Sequence, residues 1–209
     1  MKKSILFDND GVLVDTEAWY FRANQMALEE MGFELTLEYY MKLMPYGGNW
    51  WEIALENGAT MDDVNAARAR RSSYYQEFIK SENIYIDGVE EVLRELSKKY
   101  RLAIVTTSRR VDFELIHHDK KLTRFMDFVL CEEDYPRAKP YPDPYLKALK
   151  LMDIADKNAV VVEDSQRGLT AAYSANIDCV VVYNHFTANQ DFSKATHRID
   201  SLSELLELL

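Results

Sequence analysis

The chain has 209 residues, 47% of them hydrophobic, and a formal net charge of −10. That length suits one domain carrying an insertion, or two small domains, and the apolar share excludes wholesale disorder. The acidic balance argues against a nucleic-acid or anionic-membrane partner, both of which call for a basic face, yet it leaves room for a small anionic substrate beside a cation.

The N-terminal run MKKSILFDND starts basic, but its apolar part stops at Asp8. It is too short for a signal peptide, and no apolar stretch approaches membrane-spanning length. Ser4 to Phe7 reads as a buried strand that feeds a loop holding Asp8, Asp10 and Gly11. From Thr16 to Ser81 helical spacing takes over, with Trp19, Ala23, Met26, Ala27 and Met31 on one face and breaks at Gly32, Pro45, Gly47-Gly48 and Gly58. No strong strand pattern appears there, which predicts a bundle of helices. The aromatic group Trp19, Tyr20, Trp50 and Trp51 is expected in the core of that bundle, and Arg68, Arg70 and Arg71 on a solvated helix face.

After Asp87-Gly88 helices and strands alternate. Val89, Val92, Leu93, Leu96 and Tyr100 recur at helical spacing, and LAIVTT follows as a strand. Next come a helix from Asp112 to Lys120, FVLC as a strand and a helix from Asp143 to Met152. AVVVE is a further strand, then a helix from Gly168 to Ala175, DCVVVY as a strand and a terminal helix from Ser201. Near-continuous Val and Ile runs separated by helices predict an α/β fold, a parallel sheet covered on both faces. The first strand has no partner in the helical stretch and joins this sheet. The expected division is therefore a core domain of 1–15 and 83–209 with a helical insertion of 16–82. Cys131 and Cys179 each lie in or beside an apolar run and belong to no Cys/His cluster, so buried reduced thiols and a cytoplasmic protein are expected.

In an open parallel sheet, ligands bind beyond the carboxyl ends of the strands. Four polar features fall just after predicted strands or before a helix: Asp8 with Asp10, Thr106 to Ser108, Lys139 in AKPYPDP, and Glu163-Asp164. Three carboxylates meeting there would repel one another unless a hard cation such as Mg²⁺ joined them. An aspartate can attack phosphorus, a second acid can give and take the proton, and a hydroxyl and a lysine can hold phosphoryl oxygens. Alone, each feature has a plainer reading. Asp8 and Asp10 could be solvated loop acids, Thr106, Thr107 and Ser108 could satisfy backbone groups at a strand end, and Lys139 could be a surface lysine.

In this order, FDNDGVLVD, IVTTS, KPYPDP and VVVEDSQRG resemble the four motifs of the haloacid dehalogenase-like superfamily over essentially the whole chain. The resemblance is closest to its phosphatase and β-phosphoglucomutase-like group, in which a helical cap follows the first motif of a Rossmann-like core. It implies that Asp8 is the nucleophile and a metal ligand, and that Asp10 is the general acid/base with its main-chain carbonyl on the metal. It further implies that Thr106, with Thr107 beside it, and Lys139 bind phosphate and that Asp164 ligates Mg²⁺. Glu163 occupies the adjacent acidic position, which reaches the metal through water or pairs with a cation instead. Arg71 falls near a basic cap residue that meets substrate. Dehalogenases lack an acid where Asp10 stands, because a halide leaving group needs no proton.

Two positions depart from the mutase pattern: Tyr20 stands where those enzymes carry a histidine, and Trp50 near their cap arginine. The resemblance therefore implies a Mg²⁺-dependent phosphomonoester hydrolase working through an aspartyl-phosphate, with a phosphomutase as the alternative. A small phosphorylated metabolite is the expected partner, without nucleic acid or membrane. No coiled-coil pattern suggests an oligomer, and a monomer is expected. Gly11 is expected in a tight turn, Gly168 at a close backbone approach, and Asn176, in place of the usual glycine, in left-handed backbone. Pro140, Pro142 and Pro144 shape the loop into the next helix. The pair His117-His118, far from every motif in sequence, is expected to be structural or exposed.

Overall fold

The computed structural model describes residues 3–119 and 121–209. Its six strands are β1 (Ser4–Phe7), β2 (Arg101–Val105), β3 (Phe128–Leu130), β4 (Ala159–Glu163), β5 (Asp178–Val182) and β6 (His197–Ile199). All pair in parallel in the order β3-β2-β1-β4-β5-β6, a Rossmann-like arrangement whose strand order reverses between β1 and β4. The helices are α1 (Glu17–Glu29), α2 (Leu37–Leu43), α3 (Glu52–Glu56), α4 (Met61–Ser81), α5 (Val89–Leu96), α6 (Arg110–Ile116), α7 (Asp143–Met152), α8 (Gln166–Ser174) and α9 (Leu205–Leu208). None among the described residues is long and apolar enough to cross a membrane.

The period-two geometry of strands divides each apolar run between two faces. Ile5, Phe7, Leu102, Ile104, Val160 and Val162 pack with α5 and α9. Leu6, Ala103, Val105 and Val161 pack on the other side with Tyr145 and Ala148 of α7 and Leu169 and Ala172 of α8. Cys131 and Cys179 are free thiols buried in these layers. Register aligns the strand ends: Phe7 lies opposite Ile104 on one side and Val162 on the other. The chain therefore leaves three adjacent strands at nearly one level, so Asp8, Thr106 and Asp164 emerge at the same sheet edge.

The structure adjusts several predicted elements. α6 starts at Arg110, two residues early, because the Glu133 carboxylate accepts the Arg110 N–H (3.1 Å) and satisfies a donor of the first turn. It ends at Ile116, and Lys120, the predicted end, lies outside the described residues. α8 starts at Gln166 because Ser165 caps it by accepting from the Gly168 N–H (3.1 Å). The terminal helix opens as a 3₁₀ turn, Leu202–Glu204, capped by Ser201. Asn176 adopts φ 59°, the left-handed conformation.

The chain divides into two compact units, Met1–Asp15 with Tyr85–Leu209, and Thr16–Ile84. The second boundary lies two residues beyond the expected 82/83. The helical unit is built on α1 against α4, with Ala23, Ala27, Leu28, Val64 and Ala67 buried. Thr60 and Asp63 form a reciprocal capping box that starts α4. Trp50 and Trp51 are buried, and the Trp50 indole N–H donates to Asn24 Oδ1 (2.9 Å).

Candidate active site

β1 hands over to a tight loop. The Asp8 N–H still donates to Val162 O (2.8 Å), and the Asn9 carbonyl then accepts from the N–H groups of Val12, Leu13 and Val14. Gly11 adopts φ +82°, and a Cβ there would fall 2.1 Å from Asp164 Oδ2 and 2.4 Å from Asn184 Nδ2. Both the backbone conformation and the close approach require glycine.

Lys139, carried by the segment before α7, is buried with Nζ donating to Asp8 Oδ1 (2.6 Å), Glu163 Oε1 (2.7 Å) and Val105 O (2.8 Å). Glu163 is fully buried and accepts from four further donors. Tyr145 OH (2.9 Å) meets Oε1, while the N–H groups of Asp164 and Ser165 (each 3.2 Å) and the Ser165 hydroxyl (2.9 Å) meet Oε2. Asp8, Glu163 and Asp164 each offer an oxygen within 4.8 Å of the others. Both Glu163 oxygens are already engaged, however, so the donor geometry favours the cation-pairing alternative for this residue over a place beside a metal. Asp164 Oδ2 accepts from Asn184 Nδ2 (2.8 Å).

Asp10 Oδ2 accepts from Ser108 Oγ (2.6 Å), Asn9 Nδ2 (3.2 Å) and Thr106 Oγ1 (3.3 Å). Thr106 is buried and pinned at both ends, its N–H donating to Leu130 O and its carbonyl accepting from Tyr135 OH. Thr107 beside it is half-buried. Of the three hydroxyls after β2, Ser108 makes the shortest contact with the acid.

Electrostatics single out Asp8. Burial pushes its carboxyl up to about 7; Lys139 pulls it down, while Glu163 and Asp10 push it up again. Burial also opposes ionisation of Glu163, but the Lys139 charge and the hydrogen bonds from Lys139, Ser165 and Tyr145 outweigh it and hold Glu163 below its usual range. Lys139 is held above its ordinary value because Asp8 and Glu163 outweigh the effect of its burial. One lysine is thus shared by two carboxylates, while Glu163 alone has further donors from Ser165 and Tyr145. Burial leaves the Asp8 anion costly in spite of Lys139, the condition a divalent cation with Asp164 would relieve.

Gly168 has no room for a side chain, since a Cβ would lie 1.7 Å from Glu163 Oε1. Gly168→Ala is expected to destabilise the protein by about 1–3 kcal/mol in urea unfolding, as overpacking does, and to lower activity by displacing the carboxylate that holds Lys139.

Two residues of the site carry no mark in the sequence. Asn184 follows β5 and meets Asp164, although nothing in VVVYN distinguishes it. His117 is distant from the motifs only in sequence: it is buried, with Nε2 2.7 Å from Asn9 Oδ1, whereas His118 is exposed beside Asp119. Arg71 belongs to the helical unit, where its guanidinium stacks on Tyr20 at 4.7 Å and its buried Nε has no hydrogen-bond partner.

Residues 5–182 match the family model described as haloacid dehalogenase-like hydrolase. Protein CbbY of Cereibacter sphaeroides is 28% identical over 220 residues, spanning 98% of this chain and 94% of its own. The phosphorylated carbohydrates phosphatase of Thermotoga maritima is 30% identical over 183 residues, 84% of this chain and 82% of its own. The crystal structure of CbbY from Rhodobacter sphaeroides in complex with phosphate superposes with a TM-score of 0.83 at 25% identity, covering 98% of this chain and 96% of that one. The chain belongs to the haloacid dehalogenase-like hydrolases and is a phosphatase of that family.

Proposed function

We propose that the protein is a Mg²⁺-dependent phosphomonoester hydrolase that passes the phosphoryl group through Asp8. The observation that carries this reading is the convergence of Asp8, Asp10, Thr106, Lys139 and Asp164 at one sheet edge, with the Asp8 anion opposed by burial. Asp8, Asp164 and the main-chain carbonyl of Asp10 would hold Mg²⁺, which when bound supplies positive charge to the phosphoryl oxygens.

An Asp8 oxygen attacks phosphorus and the ester bond breaks. The departing alkoxide takes the proton of the Asp10 carboxyl and leaves as alcohol. Water then attacks the aspartyl-phosphate, Asp10 takes its proton, and phosphate leaves with Asp8 restored. Lys139 and the hydroxyl of Thr106, with Thr107 beside it, hold the phosphoryl oxygens as charge is redistributed. Glu163 fixes Lys139 for that work.

A phosphorylated carbohydrate is the proposed substrate class, supported by the relative from Thermotoga maritima. Arg71 is the proposed contact from the helical unit, supported by its resemblance position and by an Nε that has no acceptor. Hydrolysis is favoured over the mutase reaction because Trp50, near the place of the mutases' arginine, is packed against Asn24 inside the helical unit.

Phosphate release from a panel of sugar phosphates, with metal stripped and then Mg²⁺ restored, tests the reading. Release that depends on Mg²⁺ is the expected outcome. Isomerisation of hexose 1-phosphates, primed with a bisphosphate and outpacing phosphate release, would replace hydrolase by mutase.

A further inference from the structure

Asn9 stands between the nucleophile and the acid, fully buried, and its side-chain amide works in two directions. Nδ2 donates to Asp10 Oδ2 (3.2 Å), and Oδ1 lies 2.7 Å from His117 Nε2. An amide oxygen only accepts, so this contact is a hydrogen bond when Nε2 carries the imidazole proton. Burial lowers His117 to about 4, so the ring is neutral near pH 7 and offers one N–H. The other ring nitrogen, Nδ1, is buried without a partner. An apolar side chain could fill the same place beside Phe113, whose ring centroid is 4.4 Å from that of His117, without leaving a nitrogen unpaired. Packing alone therefore does not account for a histidine here.

The amide of Asn9 is directional. Rotated by half a turn, it would set its oxygen against the Asp10 carboxylate, while the neutral imidazole could still accept from its NH₂ by carrying the ring proton on Nδ1. The carboxylate thus decides which end of the amide faces Asp10, and the imidazole, its proton then on Nε2, anchors the other end. Supports of that acid come from the segment after β2: Ser108 (2.6 Å) and Thr106 (3.3 Å) directly, and His117, at the end of α6, through Asn9.

We propose that His117 is a positioning residue for proton transfer, anchoring the Asn9 amide and through it the carboxyl of Asp10. The proposal rests on the reading of Asp10 as the acid that protonates the leaving alkoxide. Its signature is dependence on the leaving group, because an alkyl phosphate needs that proton whereas 2,4-dinitrophenyl phosphate expels a stable anion and does not.

The test compares kcat/KM, which reports phosphoryl transfer to Asp8 and not the later hydrolysis common to both esters, at saturating Mg²⁺, for the intact protein and its Asp10→Ala, His117→Leu, His117→Gln and Asn9→Leu variants. Asp10→Ala is expected to lose at least about a hundredfold on the alkyl ester and far less on the aryl ester. His117→Leu and Asn9→Leu are expected to lose about tenfold on the alkyl ester and under about threefold on the aryl ester, a fraction of the whole acid's contribution. His117→Gln keeps an N–H near the reach of Nε2, and its expected kcat/KM stays within about threefold of the parent on both esters.

Equal losses on the two esters in His117→Leu and Asn9→Leu, or no loss on either, would reduce His117 to a packing residue and overturn the proposal. If Asp10→Ala itself shows no leaving-group bias, the acid assignment falls first, and the two failures are told apart. Circular dichroism checks folding. Should His117→Leu fail to fold, Asn9→Leu against His117→Gln decides by the same ratio.

Discussion

Replacing Asp8 by Asn is expected to lower kcat at least roughly 10⁴-fold while leaving the fold intact, as removal of a nucleophile does elsewhere. Asn has the same shape and keeps an oxygen for the Lys139 N–H now 2.6 Å from Asp8 Oδ1, so the loop has no cause to move. What it lacks is the anionic oxygen that attacks phosphorus. Phosphate release with Mg²⁺ measures the loss, and substantial hydrolysis by the variant would remove Asp8 from the role. A pH signature accompanies it. The folded carboxyl of Asp8, raised by burial to about 7, stands above its unfolded value of 3.8. A group raised in this way stabilises most fully below the unfolded value, and that contribution is lost as pH rises through about 7. The metal-free parent is therefore expected to lose thermal stability between pH 5 and pH 8, while Asp8→Asn, with nothing to titrate there, loses less. Mg²⁺ is expected to restore the parent's stability at pH 8 more than the variant's.

The ease of finding Asp8 in the sequence reflects how the sheet is made. β1, β2, β4 and β5 are near-unbroken aliphatic runs because both faces are covered, and such runs stop where the chain reaches the functional edge. The acids, the hydroxyls and their strands were legible together for that reason. β6 was not: His197 and Arg198 are exposed, three residues give too little pattern, and its pairing with β5 comes from position at the sheet edge. The donors around Glu163 were equally invisible. Tyr145 arrives from α7, Lys139 from the loop before it, and the two N–H groups from the backbone turn into α8, so the role of this carboxylate is decided by packing. Asn184 and His117 are ordinary polar residues in sequence, and only the fold brings them to Asp164 and Asn9.

Lys139→Met carries the second large effect, and it acts on stability and catalysis together. Met is of similar length and apolar, so the pocket stays filled while the charge shared by Asp8 and Glu163 disappears. Two buried carboxylates are then left facing each other, a loss of about 3–5 kcal/mol. For a chain of this length that corresponds to a fall of roughly 10 °C in melting temperature. In the parent, Glu163 is held below its usual range, so it stabilises above its unfolded value and loses that contribution as pH falls. Without Lys139, the hydrogen bonds from Ser165 and Tyr145 are left to oppose burial, the largest influence on Glu163. Its carboxyl is then expected to rise and the sign to reverse: the variant gains stability as pH falls. The gap between parent and variant is therefore expected to narrow from pH 7.5 to pH 5, read by thermal melting. Catalysis does not recover with it, because a donor to the phosphoryl oxygens is missing, and kcat/KM is expected to fall at least about 10²-fold. Lys139→Arg separates charge from shape. It keeps the positive charge but offers a planar fork where a single point donor meets two carboxylates and the Val105 carbonyl, so part of the stability returns and the activity does not. If Lys139→Met melted with the parent at every pH, the carboxylates of this site would not depend on their lysine, and the ion pairs it makes with Asp8 and Glu163 would carry no weight in the fold.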